Sequence, residues 1–315
     1  MSSAYLGLPR FGRAWKLTIE EQNGTLIEFG TNPVGNPFDP EPLQITFETY
    51  QTIQQGFWYC DIVIYNLNSP LEQQVLLQGM TVTLDAGYQG QPYGTIFKGS
   101  LLQPLWEREN GTDDKLTLHC VCGLVEVNNN FIAQTIAGGL SQRQIVAQMA
   151  AACHFPLDSS NVDELSSSKQ TRASTYFGQP GEFFQDIADF NNANLWFSNM
   201  AVNIRNLRQQ TEIPTLSYGP DSGLIGTPKQ TQDGVVMTVN LDARVQLMTQ
   251  VQLQEGVIIS QLPRNIPSYP TILDANGLYI VGAVKHFGDS RGNSWDTEIT
   301  GFVNAGSLLS LQTQF

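Results

Sequence analysis

The densest run of metal-type side chains in the chain is His119-Cys120-Val121-Cys122. On a strand, successive side chains alternate, so Cys120 and Cys122 share one face and His119 takes the other. A zinc site also needs a second ligand pair at suitable spacing, and only Cys153-His154 is on offer. All four cysteines (Cys60, Cys120, Cys122, Cys153) sit inside apolar patterns, which reads as small buried side chains in a reducing compartment rather than ligands or disulfides. The acidic pairs Asp113-Asp114 and Asp39/Glu41 lie beside Gly or Pro, where carboxylates cap turn backbone; that reading is preferred to glycosidase-type acid/base work. His286-Phe287 reads as the start of a turn, with a surface or satisfied histidine. No Ser or Cys stands in a nucleophile elbow, and the glycines form neither a dinucleotide fingerprint nor a phosphate loop. The expectation is therefore no catalytic, cofactor-binding or metal-ligating residue, no cofactor, and no enzyme.

Composition narrows the partners. Apolar residues make up 41% and charged ones 14% of 315 residues, with 28 Gly and 16 Pro, a turn-rich profile typical of β proteins. With 29 acidic against 16 basic residues the net charge is -13, which opposes counterion-releasing contacts to phosphate backbones and excludes nucleic acid as an expected ligand. No stretch approaches the roughly 20 apolar residues that span a bilayer. Met1-Ser2-Ser3-Ala4 lacks the basic start and apolar run of a secretion signal.

The elements that would position any site repeat themselves. Val63–Asn68 leads to Val82–Gly87, then to Gly94–Leu101; near the other end Met237–Asp242 leads to Val251–Gly256, then to Gly277–Val284. Each copy passes a polar Gly turn (Asn110-Gly111; Arg291-Gly292-Asn293) into a final alternating strand, Lys115–Cys120 or Ser294–Thr300. Two such modules suggest a duplicated scaffold. Before the first copy, Trp15, Leu17 and Ile19 alternate with polar residues, and Asn23-Gly24 turns the chain back into Thr25–Phe29, a hairpin pattern that also accounts for the sequon-like Asn23-Gly24-Thr25. Leu43, Ile45 and Phe47, then Trp58, Cys60, Ile62 and Ile64, form two further inward faces. Ser69-Pro70-Leu71-Glu72 is a capping box with Pro at the first helical position, predicting a short helix to about Leu77.

The middle changes period. Ser141-Gln142-Arg143-Gln144 is a second capping box, with Ile145, Met149 and Ala152 on one helical face ending near Cys153. Leu157–Thr175 reads as loop. Pro180–Asn191 reads as a helix burying Phe183, Phe184, Ile187 and Phe190, followed by a hairpin of Leu195–Phe197 and Ala201–Ile204 about Ser198-Asn199. The division expected is 1–125 and 214–315 as β modules with 126–213 as a small α+β insert.

Asp61–Pro70, Val82–Tyr88 and Gly94–Gly99 resemble the N-terminal barrel of baseplate hub proteins from contractile-tailed bacteriophages. Gly223–Pro228, Asp233-Gly234-Val235, Asn240-Leu241 and His286-Phe287-Gly288-Asp289 to Trp295 are similar to the second barrel of the same family; Asp242-Ala243 stands where that family has Asn-Pro, and Cys120–Gly123 replaces its Asp-Gly ending. The resemblance implies a mainly β fold of two tail-tube-like antiparallel β-barrels with the α+β insert between them. It further implies a homotrimer whose six barrels form a pseudo-sixfold ring, adapting the sixfold tail tube to the threefold central spike. Expected partners are the tail tube or tube-initiator protein and the spike, with tape measure and wedge proteins as further neighbours. The expected location is the virion tail baseplate, assembled in the host cytoplasm, with DNA passing through a net-negative lumen but no sequence-specific DNA binding. The competing reading is a monomeric carbohydrate-binding or glycan-degrading β protein, with Trp58, Trp106, Trp196 and Trp295 as stacking candidates.

Overall fold

The computed structural model describes residues 12–21, 23–30, 43–53, 56–67, 80–89, 92–109, 111–128, 131–153, 162, 165–205, 215–231, 234–254, 257 and 277–302. The helix expected from Ser69 and the Asp39/Glu41 pair lie outside these residues.

The N-terminal module is built from β1 (Arg13–Glu20), β2 (Leu26–Gly30), β3 (Ile45–Thr52), β4 (Trp58–Tyr65), β5 (Thr81–Tyr88), β6 (Tyr93–Glu109) and β7 (Asp113–Cys122). The expected hairpin joins β1 to β2: Gly24 takes the left-handed φ of +82° that the turn requires, and the Thr25 amide donates to Asn23 Oδ1 at 2.7 Å. The strands alternate as their sequences predict, placing Leu17, Ile19, Ile45, Ile62, Ile64 and Leu84 out of solvent.

The insert begins with a short helix, α1 (Leu124–Asn128), that the sequence reading did not anticipate, and continues through β8 (Ile132–Ile136) to α2 (Gln142–Ala151). At Ser141 the capping box forms as expected: its hydroxyl accepts from the Gln144 amide, and Gln144 Oε1 accepts from the Ser141 amide at 3.0 Å. β9 (Ser174–Gly178) pairs with β8 and opens inside the segment read as loop up to Thr175; α3 (Pro180–Phe190) and the hairpin β10 (Asn194–Ser198) and β11 (Ala201–Arg205) follow. Phe184 is fully buried, whereas Phe190, expected on the same buried side, is 74% exposed. The correction is geometric: Phe190 ends the last helical turn, beyond the insert's packed core.

The C-terminal module holds β12 (Thr215–Tyr218), a 3-10 turn at Pro220–Ser222, β13 (Leu224–Gln230), β14 (Gly234–Asn240), β15 (Gln250–Leu253), β16 (Leu278–Asp289) and β17 (Trp295–Phe302). Its order, β13-β14-β17-β16-β15, reproduces β3-β4-β7-β6-β5 of the first module, antiparallel throughout. The registers agree as well. Tyr59↔Val121 is matched by Gly234↔Phe302, Tyr65↔Lys115 by Asn240↔Asp296, Arg108↔Asp114 by Gly288↔Trp295, and Thr81↔Ser100 by Gln250↔Ile280. Even the bulge recurs, between Leu101 and Gln103 in β6 and between Val281 and Ala283 in β16. The modules differ at the far side, where β5 is flanked by β1 antiparallel and β15 by β12 parallel. One apolar core underlies the first module and most of the insert and takes in Leu241, Ala243 and Trp295 of the second module; the other underlies the second module and takes in Ile53 and the insert's Trp196.

Candidate functional site

The side chains that could do chemistry are built into the framework. Cys60 faces Cys120 across the β4–β7 ladder, both are buried, and burial raises both thiols well above their ordinary pKa. Cys122 is buried too, its pKa pushed up to about 12 by burial, and its Sγ accepts the Met200 amide at 3.3 Å. His119 points to the opposite side, where Nδ1 meets Asp61 Oδ1 at 2.6 Å. Among the described residues, no three of His, Cys, Asp and Glu gather where a metal ion could be held. The Asp113-Asp114 pair opens β7 rather than capping turn backbone: Asp114 accepts from Arg108 Nε at 3.0 Å, and Asn66 donates to Asp113 Oδ1 at 3.2 Å.

His286 corrects its expectation in position. It lies inside β16 rather than at a turn, 1% exposed, with Nδ1 2.8 Å from Thr297 Oγ1 and its amide donating to Thr49 Oγ1 at 3.2 Å. Burial lowers its pKa to about 4 and keeps the ring neutral. Asp242, noted only as a departure from the hub-family pattern, is fully buried. Burial alone would raise its pKa, but two hydrogen bonds from the Arg244 side chain, at 2.8 and 2.6 Å, together with the Tyr218 hydroxyl at 3.0 Å, hold it below the ordinary value. Three of the four tryptophans considered for sugar stacking, Trp58, Trp196 and Trp295, are core residues; Trp106 is 47% exposed.

The feature with functional geometry is a sheet edge. Beyond its bulge β16 leaves β15 and pairs with β3 of the other module, from Ala283↔Thr52 to Asp289↔Thr46, so the two modules form one continuous sheet. Lys285 Nζ reaches Glu48 Oε1 at 2.9 Å across this seam, and Ser290 Oγ accepts the Ile45 amide at 3.0 Å. Trp295 locks the seam from one end. It packs edge-on against Phe47 with ring centroids 5.1 Å apart, donates from Nε1 to the Gly87 carbonyl at 2.9 Å, and lies beneath the Arg13 guanidinium, which also donates to the Asp289 carbonyl at 2.7 Å. The seam pairs main-chain groups that would otherwise leave two open edges. The sequence signalled the strands but not which edges meet.

No family model and no curated protein matches the chain. Its fold is that of solved tail proteins: a tail protein from Neisseria meningitidis (TM-score 0.54, 10% identity, 93% of this chain and 97% of that one) and the 43 kDa tail protein of prophage MuSo2 from Shewanella oneidensis (0.53, 8%, 93% and 98%). An E. coli protein, c3393, described as a component of the type VI secretion system with structural similarity to the T4 tail proteins gp27 and gp5, matches at TM-score 0.52 and 9% identity over 83% of this chain and 74% of that one.

Proposed function

We propose that this chain is a structural component of a phage-type tail baseplate: a non-enzymatic, trimeric hub that joins the sixfold tail tube to the threefold central spike. The observation that carries the reading is the matching strand order of the two modules, with β4–β7 and β14–β17 in the same register, and their edge-to-edge seam. A subunit with two equivalent modules already joined in one sheet presents two tube-like positions at once, so three subunits make six, the physical condition for meeting both symmetries. The division into 1–125, 126–213 and 214–315 belongs to the same reading. Tail tube or tube-initiator protein and spike are the partners, and tape measure and wedge proteins the further neighbours. The net charge of -13 fits a lumen that repels DNA and lets it pass.

The test is the mass of the purified chain by light scattering, together with its gel mobility on polysaccharide. A trimer with no polysaccharide shift is expected. A monomer that shifts on polysaccharide would replace the hub with the glycan-binding alternative.

A further inference from the structure

The seam between the modules is half of a pattern that the chain repeats and leaves open. β6 carries its bulge at the position of the bulge in β16, and beyond it the strand runs on from Gln103 to Glu109, paired with β7 on one side. Among the described residues nothing pairs its other side, the side on which β16 meets β3. β13, which occupies the β3 position in the second module, pairs only with β14 among the described residues. Each subunit thus shows one filled junction and the two complementary edges of a second. Both edges carry exposed large apolar residues: Leu102, Leu105 and Trp106 on β6 and Ile225 on β13.

We propose that the outer edge of β6, Trp106–Glu109, pairs antiparallel with β13 of a second copy of this chain, in the register of the β16–β3 seam. The register follows from the matched ladders. Phe287↔Glu48 becomes Glu107 opposite Lys229 of the second copy, His286↔Thr49 becomes Trp106 opposite Gln230, and Asp289↔Thr46 becomes Glu109 opposite Ile225. Glu107 meets an opposite charge, as Lys285 meets Glu48 within the seam. Trp106 takes the place of the buried His286, beneath the joined sheet, and loses its exposure to water. Pro228 falls in the β13 bulge between Ile225 and Lys229, and Pro104 falls past the last β13 residue, so neither missing amide interrupts the ladder. Because the donor edge and the acceptor edge differ, the contact is head-to-tail, and in a trimer it closes into a ring with every such edge filled.

This inference rests on the trimeric reading, and cysteine cross-linking of the full chain tests the two separately. Antiparallel neighbours bring Cα atoms to about 4.5–5.5 Å, within disulfide reach. Glu107→Cys with Lys229→Cys, and Glu109→Cys with Ile225→Cys, should each give covalent species on a non-reducing gel that end at the trimer. Glu109→Cys with Lys229→Cys, which breaks the register, should cross-link at least tenfold less. Trp106→Asp, with its fold checked by circular dichroism, should shift the trimer toward monomer at least tenfold in concentration. A trimer by mass that neither matched pair cross-links and Trp106→Asp leaves intact would overturn the edge pairing while the hub stands. A wild-type chain that stays monomeric at its highest soluble concentration would overturn the hub reading and the pairing with it.

Discussion

Beyond its bulge, β16 alternates between buried Val284, His286 and Gly288 and half-buried Ala283, Lys285 and Phe287, whereas β6 exposes every residue from Leu105 to Glu109. The backbones are equivalent and the ladders to β17 and β7 agree in register. What differs is the neighbour: β16 has β3 on its outer side, and the far half of β6 has no strand there among the described residues. At Gly282 the crowding comes instead from Phe302 on β17, across the ladder that both modules share. A Cβ there would stand 1.8 Å from the Phe302 ring, yet its counterpart in β6 is Leu102, 47% exposed. Strand pairing, more than strand geometry, decides whether this stretch becomes core or surface.

The comparison breaks most visibly at the filled seam. Trp295→Ala removes a buried ring that touches both modules and should cost about 3–5 kcal/mol in urea unfolding; a loss below about 1 kcal/mol would show that the seam does not depend on it. The buried position on β16 gives the next effect. Because the folded-state pKa of His286 is lowered to about 4 from an ordinary 6.5, the unfolded chain binds more protons between those values. Stability is therefore full above pH 6.5 and falls as the pH drops toward 4, by on the order of 3 kcal/mol. His286→Asn should flatten that slope, and an unchanged slope would assign it elsewhere. Asp242 acts in a lower window: its depressed pKa contributes stability that is lost only as the pH falls through its folded-state value, below the ordinary 3.8.

Ser141→Ala lies on neither edge and serves as a reference; loss of the observed capping box should cost about 0.5–1 kcal/mol in the same unfolding experiment. The smallest effect belongs to the open edge. Trp106→Ala should change the unfolding free energy of the dilute subunit by less than about 0.5 kcal/mol. A larger loss would show that Trp106 is already packed within its own chain and would erase the contrast with His286.

Much of the fold was legible because period-2 burial and turn chemistry are local. Trp15, Leu17 and Ile19 marked the inward face of β1, Asn23-Gly24 its hairpin, Ser141 the start of α2, and the repeated order of strands the two modules. The misses share a cause in packing. Phe190 fits the helical stripe but ends past the core, His286 resembles a turn residue beside Gly288 yet sits within a long strand, and α1 carries only five residues of weak pattern.

By itself the sequence determined the strand faces, the hairpin and capping signals, the duplication and the acidic balance, since each depends on residues close in the chain or on composition alone. The tertiary structure alone decided that β16 meets β3, that Trp295 seats against Phe47 and Gly87, and that Asp242 is held by Arg244 and Tyr218. Every strand carries the same unpaired amides and carbonyls along its edges, so edge pairing has no local signature. Which edges join is fixed by the curvature, bulges and side-chain packing of the whole sheet.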